Sequence, residues 1–157
     1  MRRILAIAVS VTLLAIVHPA QAEAATRCGA PALKASVGRI DAGAGQRHAP
    51  LTLKNVSSRT CSLRGYPGLI MLDSHGDALR TRVGRDGGSA HRVTLKPGQR
   101  ATALLHWTTV ETGSERTCPD AAKLLVIPPD DYGYLVTAFP ADHVCDQGRL
   151  GVTPFGR

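Results

Sequence analysis

Four cysteines constrain this chain more than any other feature, because they follow an N-terminal segment with the pattern of a secretion signal. Two arginines precede an apolar run from Ile4 to Val17, and Ala20-Gln21-Ala22 offers small residues to a signal peptidase. The run is shorter than the roughly 20 residues that a membrane-spanning helix needs. We therefore predict a signal peptide over residues 1–22 and one exported domain over residues 23–157, with no transmembrane span after cleavage.

Strand order predicts how the first two cysteines pair. An even number of cysteines in an exported chain is expected to be oxidised. Residues 33–40 and 50–56 have the pattern of two strands joined by a glycine-rich loop over residues 41–48. Antiparallel pairing places the start of the first strand beside the end of the second. Since Cys28 precedes that start and Cys61 follows that end, we predict the bond Cys28–Cys61.

The same reasoning applies to the second pair. Residues 123–127 and 134–139 form a second predicted hairpin, and Cys118 and Cys145 flank it. We predict the bond Cys118–Cys145. A metal centre is the competing interpretation of four cysteines, but the chain has no C-x-x-C and no close Cys/His spacing. We therefore expect no metal ion and no cofactor.

The chain between the cysteines has the pattern of successive strands. Alternation of apolar and polar residues over Leu51–Val56 is typical of a strand with one buried face. Similar segments, among them a strand predicted over Ala78–Val83, bring the count to between seven and nine antiparallel strands, with turn signals every 8–12 residues. This predicts an all-β, immunoglobulin-like β-sandwich, with a jelly roll or small barrel as the alternative. Trp107, the single tryptophan, is expected in the core.

Positive charge is concentrated in one segment. The formal net charge is +7, and removal of Arg2 and Arg3 with the signal leaves a modest excess. With few aromatic residues among the arginines, a nucleic-acid partner is not predicted. The concentrated segment holds one acid, Asp86, against six bases: Arg80, Arg82, Arg85, Arg92, Lys96 and Arg100.

This basic segment has two interpretations. As a binding surface, with Arg80, Arg82, Arg85 and Arg92 as its residues, it would attract an anionic envelope polymer or acidic lipid head groups. As a charged outer strand, it would only prevent edge-to-edge aggregation. Another exported protein is the alternative partner. The loops over residues 41–48, 84–91 and 108–120 would carry recognition.

A resemblance to a known family covers most of the mature chain. Residues 55–68, Asn-Val-Ser-Ser-Arg-Thr-Cys-Ser-Leu-Arg-Gly-Tyr-Pro-Gly, resemble the N-x-S…C-x-L-x-G-Y-P block of an actinobacterial family of exported domains of unknown function, number 4232. The resemblance extends from Cys28 to Phe155, and its later segments are Leu95–Gly98, Trp107, Cys118, Leu124–Pro129, Cys145 and Leu150–Phe155. It implies an exported or envelope-associated β-sandwich and brings no catalytic residues.

No motif predicts an enzyme. Ser89 precedes His91 by two residues but lies outside any G-x-S-x-G elbow. Ser74-His75-Gly76 resembles the start of a transpeptidase motif whose essential cysteine is replaced by Asp77. We expect the five histidines of the mature chain to be structural. The preferred interpretation is an exported, non-enzymatic binding or structural module acting at the cell envelope or extracellularly. The alternatives are a secreted enzyme or enzyme inhibitor acting on cell-wall polymers or extracellular protein, and a host-interacting protein.

Overall fold

The computed structural model describes residues 26–156, and the regular structure of this part is almost entirely β-strand. The strands are β1 (Thr26–Arg27), β2 (Leu33–Val37), β3 (Asp41–Gly43), β4 (Gln46–Asn55), β5 (Cys61–Arg64), β6 (Gly68–Leu72), β7 (Arg82–Arg85), β8 (Arg92–Leu95), β9 (Arg100–Thr108), β10 (Ala121–Ile127), β11 (Leu135–Ala141) and β12 (Arg149–Val152). A 3-10 turn occupies Ala30–Ala32, and Cys145–Gly148 form a tight turn in which Asp146, Gln147 and Gly148 have positive φ. The predicted signal peptide, residues 1–22, lies outside the described residues. Within those described, no helix is long and apolar enough to cross a membrane.

The strands form three sheets. The large sheet has the order β2-β4-β9-β12-β7, with β3 also paired to β4, and the other two are β11-β10-β6 and β1-β5-β8. Most pairs are antiparallel, whereas the short pairs β1–β5 and β7–β12 are parallel. The predicted all-β architecture with two disulfides is confirmed. The strands outnumber the expected seven to nine, because pieces as short as β1 and β3 have too few residues to show an alternating pattern.

The core lies where the inner faces of the sheets meet. Strict alternation on β9 buries Ala101, Ala103, Leu105 and Trp107. The Trp107 ring meets the ring of Phe139 edge-on, with 5.2 Å between ring centroids, an arrangement that favours aromatic pairs. Within residues 26–156 the indole Nε1 of Trp107 finds no hydrogen-bond partner. Its place is therefore set by packing, as expected for a core tryptophan.

Both predicted disulfides are confirmed. The structure joins Cys28 to Cys61 and Cys118 to Cys145. Strand β2 pairs antiparallel with β4, and β10 pairs antiparallel with β11, so each bond closes the open end of a hairpin. Antiparallel pairing brings the flanking cysteines together, as the strand order required.

The glycine-rich segment over residues 41–48 is a hairpin and not a loop. Strand β3 pairs with the first residues of β4. The two residues between them, Ala44 and Gly45, have φ values of +46° and +77°. Positive φ at both positions is the requirement of a tight two-residue hairpin turn. The turn therefore extends β4 to ten residues and adds a short strand to the large sheet.

The strand predicted over Ala78–Val83 is displaced toward the C-terminus. Ala78 makes an isolated bridge to Leu72, and the strand itself, β7, spans Arg82–Arg85. It therefore overlaps the predicted strand at residues 82–83 and extends two residues into the predicted 84–91 loop. The backbone N–H of Met71 donates to the Thr81 hydroxyl at 2.9 Å. This side-chain acceptor takes the place of a backbone carbonyl and ends the regular pairing. No strand lies between β9 and β10, which agrees with the predicted 108–120 loop.

Candidate anion-binding site

Three arginines share the outer face of the small β1-β5-β8 sheet. Arg27 pairs with Ser62 between β1 and β5, and Arg64 pairs with Arg92 between β5 and β8. Paired residues share a face of a sheet, and so do residues two apart on a strand. Arg27, Ser62, Arg64 and Arg92 therefore point to one side, while Leu63 is buried on the other.

The first disulfide positions the edge strand of this site. Cys28 directly follows Arg27, and its partner Cys61 directly precedes Ser62. The backbone N–H of Cys28 also donates to the Ser62 carbonyl at 3.0 Å. A strand of two residues is too short to hold its own register, so the covalent bond keeps Arg27 beside Ser62.

A buried asparagine positions the central strand, β5. Asn55 has no exposed surface, although it is polar. Its Nδ2 donates to the carbonyls of Arg59 at 2.7 Å and Leu95 at 3.0 Å. Its Oδ1 accepts from the backbone N–H of Ser57 at 3.0 Å and from the Ser57 hydroxyl at 2.8 Å. Asn55 thus closes the turn that leads from β4 in the large sheet to β5 in the small one.

The arginines border a polar pocket of about 280 Å³ between the small sheet and the loop that follows β10. We call it the arginine pocket; its lining residues are Arg27, Ser62, Leu63, Arg64, Arg92, Pro129 and Asp130.

Two of the three guanidinium groups have partners. Arg92 Nη1 donates to the Ser62 hydroxyl at 3.0 Å, and Arg27 Nη1 donates to the Asp130 carbonyl. Over the described part of the chain, Arg64 is exposed and its guanidinium makes no hydrogen bond and no ion pair. The pocket therefore presents a cation whose five N–H donors are all available.

A carboxylate holds the loop that forms the far wall of the pocket. Asp131 Oδ2 accepts from the backbone N–H of Ala30 at 2.6 Å, and its Oδ1 accepts from that of Tyr132 at 2.8 Å. The N–H groups of Ala30 and Gly133, followed by that of Tyr132 and by the charge of Arg27, hold the pKa of the Asp131 carboxyl below its ordinary value. Asp131 is therefore ionised and anchors the loop to the segment just after β1.

The pairing of Arg64 with Arg92 places two positive charges opposite each other. Like charges directly opposite each other on neighbouring strands repel and destabilise the pair. A phosphate, sulfate or carboxylate between them replaces that repulsion with charge-assisted hydrogen bonds, and the planar guanidinium group matches such anions with two parallel donors. The arrangement is suited to binding an anionic group.

Two of the four predicted binding arginines contact the Cys145–Gly148 turn. Arg80 Nη2 donates to Gln147 Oε1 at 2.7 Å. Arg82 Nη1 lies 3.8 Å from the Asp146 carboxylate and also reaches the Asp146 carbonyl at 3.4 Å. Their donors are thus partly satisfied within the chain.

The structure separates the other two. The Arg85 guanidinium lies 5.4 Å from the centre of the Tyr66 ring, in cation–π geometry. Arg92 lies on β8, in a different sheet, where it joins Arg27 and Arg64. Arg27 and Arg64 were not predicted as binding residues, because they are distant from Arg92 along the chain. The signal that could have found Arg64 is its position on the outward side of β5, two residues after Ser62.

The transpeptidase-like segment Ser74-His75-Gly76 lies in an exposed turn that the preceding Asp73 stabilises. Asp73 Oδ1 accepts from three backbone N–H groups, those of His75, Gly76 and Asp77, within an exposed turn. These bonds, that of Asp77 first, hold the pKa of the Asp73 carboxyl below its ordinary value. Ser74, the hydroxyl of the transpeptidase-like segment, contacts only the adjacent His75 ring in that turn, at 3.5 Å.

Comparison with known proteins identifies the family. The model of the family described as Domain of unknown function (DUF4232) matches residues 28–156. No curated protein matches this chain, and no solved structure does. Family membership thus agrees with the resemblance carried by residues 55–68, and it assigns no activity.

Proposed function

The chain belongs to the DUF4232 family, and from its arginine pocket we propose that it is an exported, non-enzymatic binding module that recognises anionic groups of a cell-envelope or extracellular polymer. One observation carries the proposal: three arginines from three strands share one face, and Arg64 has no partner among residues 26–156. An intramolecular role for Arg64 would give its guanidinium a carboxylate or a carbonyl to bind. An anion supplied from outside gives it the missing acceptor.

The proposed location rests on the leader and on the disulfides. The pattern of residues 1–22 favours export, and two formed disulfides are typical of proteins in oxidising compartments. Phosphorylated or carboxylated polymers outside the cell offer the repeated anions that a guanidinium pocket binds. Another exported protein with a phosphorylated or acidic segment is the second partner class.

The test compares two triple variants of the oxidised chain over residues 23–157. One carries Arg27→Ser, Arg64→Ser and Arg92→Ser in the pocket. The matched control carries three Arg→Ser changes at positions 80, 82 and 85, so both lose the same charge. The probe is linear inorganic polyphosphate, titrated calorimetrically at several salt concentrations. Each charge-assisted hydrogen bond contributes on the order of 1.5–3 kcal/mol, so the pocket variant should bind at least tenfold more weakly than the control.

Two outcomes contradict the proposal. Equal losses in the two triple variants would mean that polyphosphate responds only to net charge. Absence of polyphosphate binding by the unaltered chain at low salt would show that the arginine pocket does not bind anions. The single variant Arg64→Ser is the sharpest test, because it breaks no hydrogen bond and no ion pair within residues 26–156 and should still weaken binding.

A further inference from the structure

A row of titratable side chains crosses the outer face of the large sheet. Asp41 on β3 pairs with His48 on β4, and His48 pairs with His106 on β9. Paired residues share a face, so these three side chains project together into solvent. Asp86, the residue after β7, reaches the same row from the other side, with Oδ2 3.1 Å from His106 Nδ1.

The backbone pairing brings the two histidines close. On β9, Thr102 exchanges both backbone hydrogen bonds with Gly156, and Leu104 directs its N–H and carbonyl to Thr153. Outward residues of β9 thus point their backbone groups away from β4. His106 is two residues beyond Leu104, so it forms a non-hydrogen-bonded pair with His48, the type in which cross-strand side chains are closest.

A glycine opens the path by which Asp86 reaches His106. Strand β12 lies between them, and Gly151 is its residue opposite His106. A Cβ at Gly151 would lie 2.0 Å from Asp86 Oδ2 and 2.7 Å from His106 Nδ1. Only glycine permits this contact. The Asp86 carboxylate orients the imidazole through Nδ1 and leaves Nε2 available to an ion, as carboxylates that hydrogen-bond the histidine ligands of metal ions do.

The spacing of the two rings suits a shared ion. Their centroids lie 5.4 Å apart. Two imidazoles bound to one tetrahedral ion at nitrogen–metal distances near 2.0–2.1 Å have centroids about 5.2 Å apart. The rings are now stacked at 19°, so the His48 ring must turn to aim a nitrogen at the ion. No hydrogen bond or ion pair of its imidazole opposes this over residues 26–156.

Acidic side chains lie on both sides of the histidine pair. Asp41 is the neighbour of His48 on the side away from His106, and Asp86 approaches His106 from the other side. The Asp41 carboxylate is mostly exposed and forms an ion pair of 3.7 Å with Arg39, a type of surface contact that contributes little to stability. The two negative charges favour a cation at this row.

We propose that His48 and His106 bind one divalent transition-metal ion, with Asp86 positioning His106 and Asp41 adding negative charge beside the site. Imidazole donors suit Cu²⁺ and Zn²⁺, and Cu²⁺ binds the tighter of the two in the general affinity order. His106 and Asp86 are 40% and 34% exposed, so water completes the coordination sphere. An open site of this kind captures and exchanges metal. The sequence predicts neither a metal ion nor a functional role for these histidines, because nothing in their spacing along the chain links them.

The test uses the oxidised chain over residues 23–157 without a polyhistidine tag. Cu²⁺ and Zn²⁺ are titrated separately by calorimetry in a non-coordinating buffer. One equivalent should bind, and His48→Gln and His106→Gln should each abolish that event. Asp86→Asn and Gly151→Ala should weaken it by about 10–100-fold, the usual effect of losing the hydrogen-bond partner that orients a histidine ligand. His75→Gln, an exposed histidine outside the row, is the matched control and should bind as the unaltered chain does.

Thermal unfolding supplies an independent readout. At a metal concentration 100 times the Kd, binding adds about 2.7 kcal/mol to the free energy of unfolding. The midpoint temperature should therefore rise in the unaltered chain and in His75→Gln, and should not rise in His48→Gln. The proposal is overturned if no equivalent binds, or if His75→Gln weakens binding as much as His48→Gln. Unchanged affinity in Asp86→Asn, with its fold intact, would overturn the positioning role.

Discussion

Replacing Asn55 with alanine tests whether its buried side-chain amide stabilises the turn that connects β4 in the large sheet to β5 in the small sheet. Asn55 has no exposed surface, and its side chain makes two hydrogen bonds to backbone carbonyls and two with Ser57. The alanine variant removes all four and leaves the Leu95 carbonyl in the core without this donor. Strand β5, which carries Ser62 and Arg64, begins where this turn ends.

The expected loss follows from these bonds. A net contribution of about 1 kcal/mol per hydrogen bond gives an upper value near 4 kcal/mol. The Ser57 groups are only partly buried and can bond to water instead, so they count for less. We expect Asn55→Ala to lower the free energy of unfolding by about 3 kcal/mol. Ser57→Ala, which removes only the hydroxyl, should lower it by about 1 kcal/mol.

Urea unfolding with the disulfides intact measures the difference. With an m-value near 2 kcal/mol per molar, the Asn55→Ala midpoint should fall by about 1.5 M and that of Ser57→Ala by about 0.5 M. The m-values themselves should not change. A loss below about 1 kcal/mol for Asn55→Ala, or equal losses in the two variants, would refute the role assigned to the amide.

Three further variants test the backbone and the charges. Gly148→Ala places a Cβ 2.0 Å from the Arg80 carbonyl oxygen at φ +74° and should cost about 2–4 kcal/mol in thermal unfolding. Gly76→Ala, at φ +97° with nothing within 4 Å, should cost only about 1 kcal/mol, and equal costs would contradict the close approach. The lowered pKa of Asp131 means that its stabilisation is complete above the unfolded-state pKa of about 3.9 and is lost as pH falls through the folded-state value. The stability difference between the unaltered chain and Asp131→Asn, from urea midpoints, should therefore be largest at neutral pH and shrink toward pH 2; a difference independent of pH would show that the carboxylate charge plays no part.

Much of the fold could be predicted because its signals are local. The expectation that Trp107 lies in the core is confirmed, and strand order correctly paired Cys28 with Cys61. The wrong predictions concern places where a few residues determine the local backbone conformation. The turn at Ala44 and Gly45 was taken for loop because only its φ values reveal it, and β7 was misplaced because a side-chain hydroxyl replaced a ladder bond.

The all-β class, the two disulfides and the alternating core could be predicted from the sequence alone, since each depends on spacing within one or two adjacent strands. Which distant residues become neighbours depends on the way the strands pair in the folded chain. The register of β5 and β8 set Arg64 against Arg92, and that of β4 and β9 set His48 against His106. Register is a property of two strands at once, fixed by turns, glycines and a disulfide elsewhere in the chain. For that reason the composition revealed a basic, disulfide-bonded domain, and the structure revealed its arginine pocket and its histidine pair.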